Sequence, residues 1–128
     1  MPASKPEATA LLDAALDYLE RELLPTLTGY HRFQLRVTAN VLAQVRRELA
    51  LAPAHADAER TRLISLLGHP GERDDLSREL AARIRAGDIA LDDPALLDHL
   101  RRSLVEALRI NNPRWLGDSD APGKTDSA

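Results

Sequence analysis

Histidine is both a common metal ligand and the side chain that titrates near neutral pH, so the four histidines are the first residues to test for chemistry. His31, His55, His69 and His99 are spaced so that no two stand three or four residues apart, the spacing by which one helix offers two ligands. His31 and His99 fall on polar flanks of helical segments and His69 in a loop, and these are read as solvated. Cysteine is absent, which removes thiolate ligands, cysteine nucleophiles and disulfides together. The carboxylate pairs Asp74-Asp75 and Asp92-Asp93 stand just before helical segments. There a carboxylate accepts hydrogen bonds from free backbone amides and meets the positive end of the helix dipole, so capping accounts for both pairs. A hydrolytic pair would need a shared cleft. No glycine-rich phosphate loop, no G-x-S-x-G turn and no dinucleotide fingerprint occurs. The expectation is a protein that is not an enzyme, with no catalytic, metal or cofactor residues, whose function runs through a partner.

Two segments could make that contact. Around a helix at 100° per residue, Arg32, Arg36, Asn40 and Arg47 gather on one side, with Phe33 and Gln44 at the margin and a valine arc opposite. Three guanidinium groups around an asparagine can hold a phosphate, a carboxylate or an acidic protein patch. The reading preferred for them is structural: an ordinary solvated face, or Arg36 and Asn40 bonded to neighbouring helix ends inside a bundle, where a polar pair fixes register. The second segment is Asn111-Asn112-Pro113-Arg114-Trp115-Leu116, in which proline stops a helix and the only tryptophan follows. Trp115 and Leu116 are expected to fold back and close the bundle end. If exposed, Arg114 and Trp115 are the residue types most enriched at protein-protein hot spots.

The elements that position these residues follow a period near 3.6. A first helix is predicted from about Glu7 to Leu24, with Leu12, Ala15, Leu16, Leu19 and Leu23 inward and Pro25 ending it. The longest follows from about Tyr30 to Leu51, its Val37, Val41, Val45 and Leu49 flanked by Leu35 and Leu42 on a broad apolar arc. A third runs from Pro53 to Leu67, a short fourth from Asp74 to Ala86 with Gly87 as its cap, and a fifth from Asp93-Pro94 to about Asn111. The fifth places Leu96, Leu97, Leu100, Leu104, Ala107 and Leu108 on one stripe. Short connections between such helices predict an all-α, up-and-down bundle of about five helices, the fourth short. One helical domain is expected over 7–116, with a flexible start over 1–6 and a disordered tail over 117–128, both polar and poor in apolar surface.

Composition agrees. Hydrophobic residues are 44% and charged residues 29%, while aromatics are only 3%, and the abundance of Leu and Ala favours helix. Lysine occurs only at Lys5 and Lys124; the other basic residues are arginines that alternate with Asp and Glu along most segments. With a net charge of -3 this is not the basic excess of a nucleic-acid-binding domain. No apolar run approaches the ~20 residues of a membrane span and no signal-peptide core is found, so a cytoplasmic location is expected.

Phe33-Gln34-Leu35-Arg36-Val37-Thr38-Ala39-Asn40-Val41-Leu42, followed by Arg46-Arg47-Glu48-Leu49, resembles a bacterial family of small helical proteins of unknown function. Ala81-Ala82-Arg83-Ile84-Arg85-Ala86-Gly87 and the closing Asn112-Pro113-Arg114-Trp115-Leu116 extend the likeness, which covers about Leu11 to Leu116. The family's F-x-x-R-V-x-x-N and N-P-R-aromatic elements are both met. Members look like companions of aminoglycoside-phosphotransferase-like kinases and acyl-CoA-dehydrogenase-like enzymes, the LvaB-like one being accessory to a kinase that phosphorylates 4-hydroxyacyl-CoA in levulinate breakdown. The resemblance thus implies a helper subunit for such a kinase, with no catalytic residues to carry over. Two other readings stay open: a binder of acyl-CoA or nucleotide phosphates through the arginine face, and a homodimer built on an apolar strip of the long helix.

Overall fold

Sequence rich in Leu, Ala and Arg forms helix almost wherever proline and glycine do not interrupt it, and the computed structural model, which describes residues 7–117, is all-helical. Among the described residues there are four α-helices and no strand: α1 Ala8–Asp17, α2 Gly29–Leu67, α3 Arg73–Ala86 and α4 Pro94–Asn111. The flexible ends expected over 1–6 and 117–128 lie, Gly117 apart, outside the described residues.

The count is four rather than five because the segments expected as separate second and third helices are one helix of 39 residues with Pro53 in its interior. Proline has no N–H, so the Leu49 carbonyl loses its helical partner. Both Leu49 and Pro53 are exposed, which puts that carbonyl on the solvent side and lets the helix run on. The chain divides at this proline into two compact units, Met1–Ala52 and Pro53–Ala128.

In the first unit, the regular α-geometry of α1 ends at Asp17, earlier than the periodicity predicts. The backbone continues as a π-helical turn, Tyr18–Leu23, and a 3-10 turn, Leu24–Thr26, that contains Pro25. Pro25 cannot donate to the Arg21 carbonyl, so an ordinary α-helical bond is unavailable there. Leu16 on α1 and Ala39 on α2 are buried, and Leu35, Leu42, Ala43 and Arg46 lie half-buried on the Ala39 side of α2. Arg46 grips Asp13 of α1 through both carboxylate oxygens, at 2.5 and 3.3 Å.

The second unit is built on leucines. Leu63 and Leu67 of α2, Leu76 and Leu80 of α3 and Leu96 of α4 form one buried cluster, with Ile64, Leu66, Ile84 and Ile89 packed against it. Local chemistry sets the ends of these helices. Gly68 and Gly87 take the left-handed conformation, with φ of 79° and 78°, that ends a helix without a Cβ penalty. Asp93 caps α4 by accepting from the amides of Ala95 and Leu96 at 2.9 and 3.1 Å, with Pro94 in the first helical position. Asp74 and Asp75 do not cap α3, contrary to expectation. They sit inside its first turn, where they still meet the helix dipole, and they pair with Arg73 and Arg78.

Candidate functional site

The packed side of α2 in the first unit is centred on Ala39, with Leu35 and Leu42 of the apolar arc half-buried beside it, and the valine part of that arc faces outward. Val37, Val41, Val45 and Leu49 are all exposed, Val41 to 56%. Periodicity identifies a stripe but not which stripe is covered. The F-x-x-R-V-x-x-N element lies wholly on this outer face: Phe33, at 63% exposure, joins Arg36, Val37, Asn40 and Val41, and all five are exposed. Among the described residues Arg36 and Asn40 form no side-chain hydrogen bond or ion pair, and neither bonds to a neighbouring helix end.

The other two arginines of the expected face have different surroundings. Arg32 donates from Nη1 to the carbonyls of Leu24, at 2.9 Å, and Leu27, at 3.4 Å. It thereby ties α2 to the turn that ends the first helical run, where the Leu24 carbonyl also accepts from the Leu27 amide at 3.2 Å. Arg47 is half-buried and engaged within the protein. The four residues therefore do not act as one cluster: Arg36 and Asn40 present themselves with apolar neighbours, while Arg32 is part of the architecture. At the end of the second unit, Pro113–Trp115 forms a 3-10 turn after α4. Trp115 does not fold back to close the unit: it is 76% exposed beside exposed Arg114, and only Leu116 is half-buried.

The packed side of α4 also differs from the expected leucine stripe. Leu96 is buried, but Leu97, Leu100 and Leu104 are exposed. The register set by Leu96 continues instead through His99, Ser103 and Glu106, and Arg62 of α2 meets all three. Arg62 Nε donates to His99 Nδ1 at 3.1 Å, Nη2 donates to Ser103 Oγ at 3.2 Å, and Nη1 lies 2.6 Å from Glu106 Oε1. That Glu106 oxygen is buried and, although close to Arg62, receives no well-aligned hydrogen bond among the described residues. His99, read from its flanks as solvated, is only 5% exposed. Burial first and the Arg62 charge second hold its pKa below the ordinary histidine value, which favours the neutral ring whose Nδ1 accepts a hydrogen bond from Arg62 Nε. Sequence reasoning missed this network, although His99, Ser103 and Glu106 at helical spacing from Leu96 were a usable signal.

His69 has the opposite character. Its Nδ1 bonds to the Pro70 carbonyl at 2.9 Å and its Nε2 to Glu79 at 2.7 Å, which raises the imidazole pKa and lowers that of the carboxyl. Beside the Arg62 network, Ala54, His55, Ala58 and Arg62 of α2 and Arg101, Arg102, Val105, Glu106 and Arg109 of α4 line a groove of about 410 Å³. No group of three His, Asp or Glu side chains suited to a metal ion occurs among the described residues. Nor is any helix there long and apolar enough to cross a membrane.

A family model described as a domain of unknown function, DUF6285, matches residues 25–115 and so takes in the outer face of α2, the Arg62 network and Trp115. No curated protein and no solved structure matches.

Proposed function

The chain belongs to the DUF6285 family, and from that premise we propose that it is a non-catalytic accessory subunit of the cytoplasm. On this reading it binds an aminoglycoside-phosphotransferase-like kinase that acts on hydroxyacyl-CoA substrates and keeps that kinase soluble or active. One observation carries the docking role: Phe33, Arg36, Val37, Asn40 and Val41 are exposed together on one helix face. An apolar centre bordered by Arg and Asn is the composition of a helix face that docks against another protein. Removing the exposed parts of Phe33, Val37 and Val41 from water offers about 1–2 kcal/mol each. Arg36 and Asn40 at the border select a partner surface that supplies acceptors. Trp115 with Arg114 is a second contact of hot-spot composition. The choice of a kinase as partner rests on the resemblance in the F-x-x-R-V-x-x-N and N-P-R-aromatic elements.

Co-expression with an aminoglycoside-phosphotransferase-like kinase of the same genome tests the reading. The kinase is expected to be recovered in soluble, active form with this chain and to be lost or inactive without it. Equal yield and activity in both cases contradicts the proposal. Light scattering on the chain alone then separates a homodimer through the same strip from a face held for another protein.

A further inference from the structure

The second unit leaves uncovered an apolar strip of its own, on a different helix from the outer face of α2. On α4, Leu97, Leu100 and Leu104 are exposed to 50%, 43% and 66%, and exposed Ala107 continues the line. Their spacing of three, four and three residues is that of a seam between two packed helices. No charged residue falls within the strip, and Arg101 at its border is engaged within its own chain. Two more large apolar side chains stand bare beyond its ends: Leu91, just before α4, is 75% exposed, and Trp115, just after it, 76%. Surface leucines scattered singly are ordinary, whereas a continuous line of them marks a surface built for contact.

Symmetry and charge say what covers it. Leu97 with Ala107, Leu100 with Leu104, and Leu91 with Trp115 are all centred on nearly the same point of the sequence, beside Arg102. A two-fold axis at that point lays a second α4 antiparallel on the first, so that each residue meets the one from the opposite end. Leu100 then meets Leu104 of the second copy, and Trp115 meets its Leu91. The charges select this direction. From 88 to 98 the charged side chains are Asp88, Asp92, Asp93 and Asp98, and from 101 to 115 they are Arg101, Arg102, Arg109 and Arg114 against Glu106 alone. An antiparallel pair sets the acidic end on the basic end twice; a parallel pair sets like on like.

Most of these charges are used inside the chain: Asp93 caps α4, Asp98 pairs with Arg102, and Arg101 and Arg109 are engaged. Asp92 and Arg114 are not. Both are exposed, and neither side chain makes a hydrogen bond or ion pair among the described residues. They adjoin Leu91 and Trp115, so the pairing that brings Trp115 to Leu91 also brings Arg114 to Asp92, once at each end. The dipole of α4 accounts for an acid-then-base order of charges. It does not account for the bare leucines, nor for an unpaired acid and base that both stand outside the helix.

We propose that α4 is the interface of a two-fold dimer of this chain, its leucine strip packed antiparallel on the same strip of a second copy and closed at each end by Trp115 on Leu91 and Arg114 on Asp92. An apolar centre with charges only at its rim is the anatomy of a specific interface. The outer face of α2 takes no part and stays available for docking.

The test is sedimentation equilibrium of the full chain across concentration, with the emission of Trp115, the only tryptophan, read on the same samples. The chain is expected to reach twice its own mass, and the emission to move to shorter wavelength in step with the dimer as the indole leaves water. Leu104→Glu, which puts two carboxylates into the seam, should weaken the dimer at least a hundredfold. Leu100→Ala, a milder change, should weaken it about tenfold and guards against a folding defect in the charged variant. Arg114→Glu and Asp92→Arg should each weaken it about tenfold, and the double variant, which restores opposite charges at both ends, should recover most of that loss. Val41→Asp on α2 should dimerise as the unaltered chain does, so that this dimer and the docking of another protein fail separately. A chain that stays monomeric with unshifted emission, a dimer indifferent to Leu104→Glu, or a double charge variant no tighter than either single one overturns the proposal.

Discussion

The two stretches of α2 on either side of Pro53 use the same kind of sequence for opposite ends. After Pro53, the apolar residues at helical spacing vanish from solvent: Leu63 is fully buried and Leu67 nearly so, locked against α3 and α4. Before it, a stripe of equal regularity, from Phe33 to Leu49, stays on the surface, and the only buried side chain of that stretch is the small Ala39. Amphipathic periodicity therefore marks two different things in one helix. In the second unit it records a core; in the first it records a face that the unit's own packing leaves uncovered.

Substitutions should expose that difference. The largest effect is expected from Leu63→Ala, which removes a fully buried side chain and leaves a cavity, at a cost of about 2–5 kcal/mol in chemical denaturation. Val41→Ala in the first unit, by the same measurement, should cost less than about 0.5 kcal/mol, because surface substitutions away from special features change little. Equal losses at the two sites would break the comparison.

Next in size is Arg62→Leu, at about 2–3 kcal/mol, since it leaves His99, Ser103 and Glu106 without their shared donor in a half-buried setting. The Arg62→Leu/Glu106→Leu double variant should recover part of that loss, because no unpaired carboxylate then remains. No recovery would mean that Glu106 and Arg62 are not energetically coupled.

A smaller, pH-dependent contrast separates the two perturbed histidines of the second unit. The folded pKa of His99 is depressed, so its contribution is complete above the unfolded value of about 6.5 and is lost as pH falls through the folded value. The folded pKa of His69 is raised, chiefly by the Pro70 carbonyl and then by Glu79, so its contribution is complete below about 6.5 and is lost as pH rises through the folded value. Stability measured from pH 5 to 8 should therefore flatten on its acid side in His99→Gln and on its alkaline side in His69→Gln. The same change in both variants would contradict the opposite assignments.

Short-range signals made much of the fold legible in the sequence. Asp93-Pro94 and Gly87 mark helix ends through chemistry confined to a few residues, and Leu76, Leu80 and Leu96 point inward as their spacing implies. Pro53 was misleading because a proline opening a helix and one inside a helix look alike when the freed carbonyl faces solvent. The spacing of His99 from Leu96 could be read locally, but its bond to Arg62, 37 positions away, is encoded by no local pattern. The candidate face was legible in part: spacing names Arg36 and Asn40 as contacts with Phe33 at their margin but puts Val41 on the opposite arc, and their joint exposure follows from which side of α2 packs around Ala39. The arginine groove was not legible, because it combines residues of two helices whose separation only packing determines.

On the proposed function, the outer face of the first unit serves contact rather than stability. That role is tested most directly by measuring, for Val41→Asp, both the melting temperature of the chain and its affinity for the co-expressed kinase. The expected result is a melting temperature within about 2 °C of the unaltered chain, as for a surface change, together with a loss of affinity of at least tenfold. Unchanged affinity, or a fall in melting temperature that accounts for the lost binding, would contradict it.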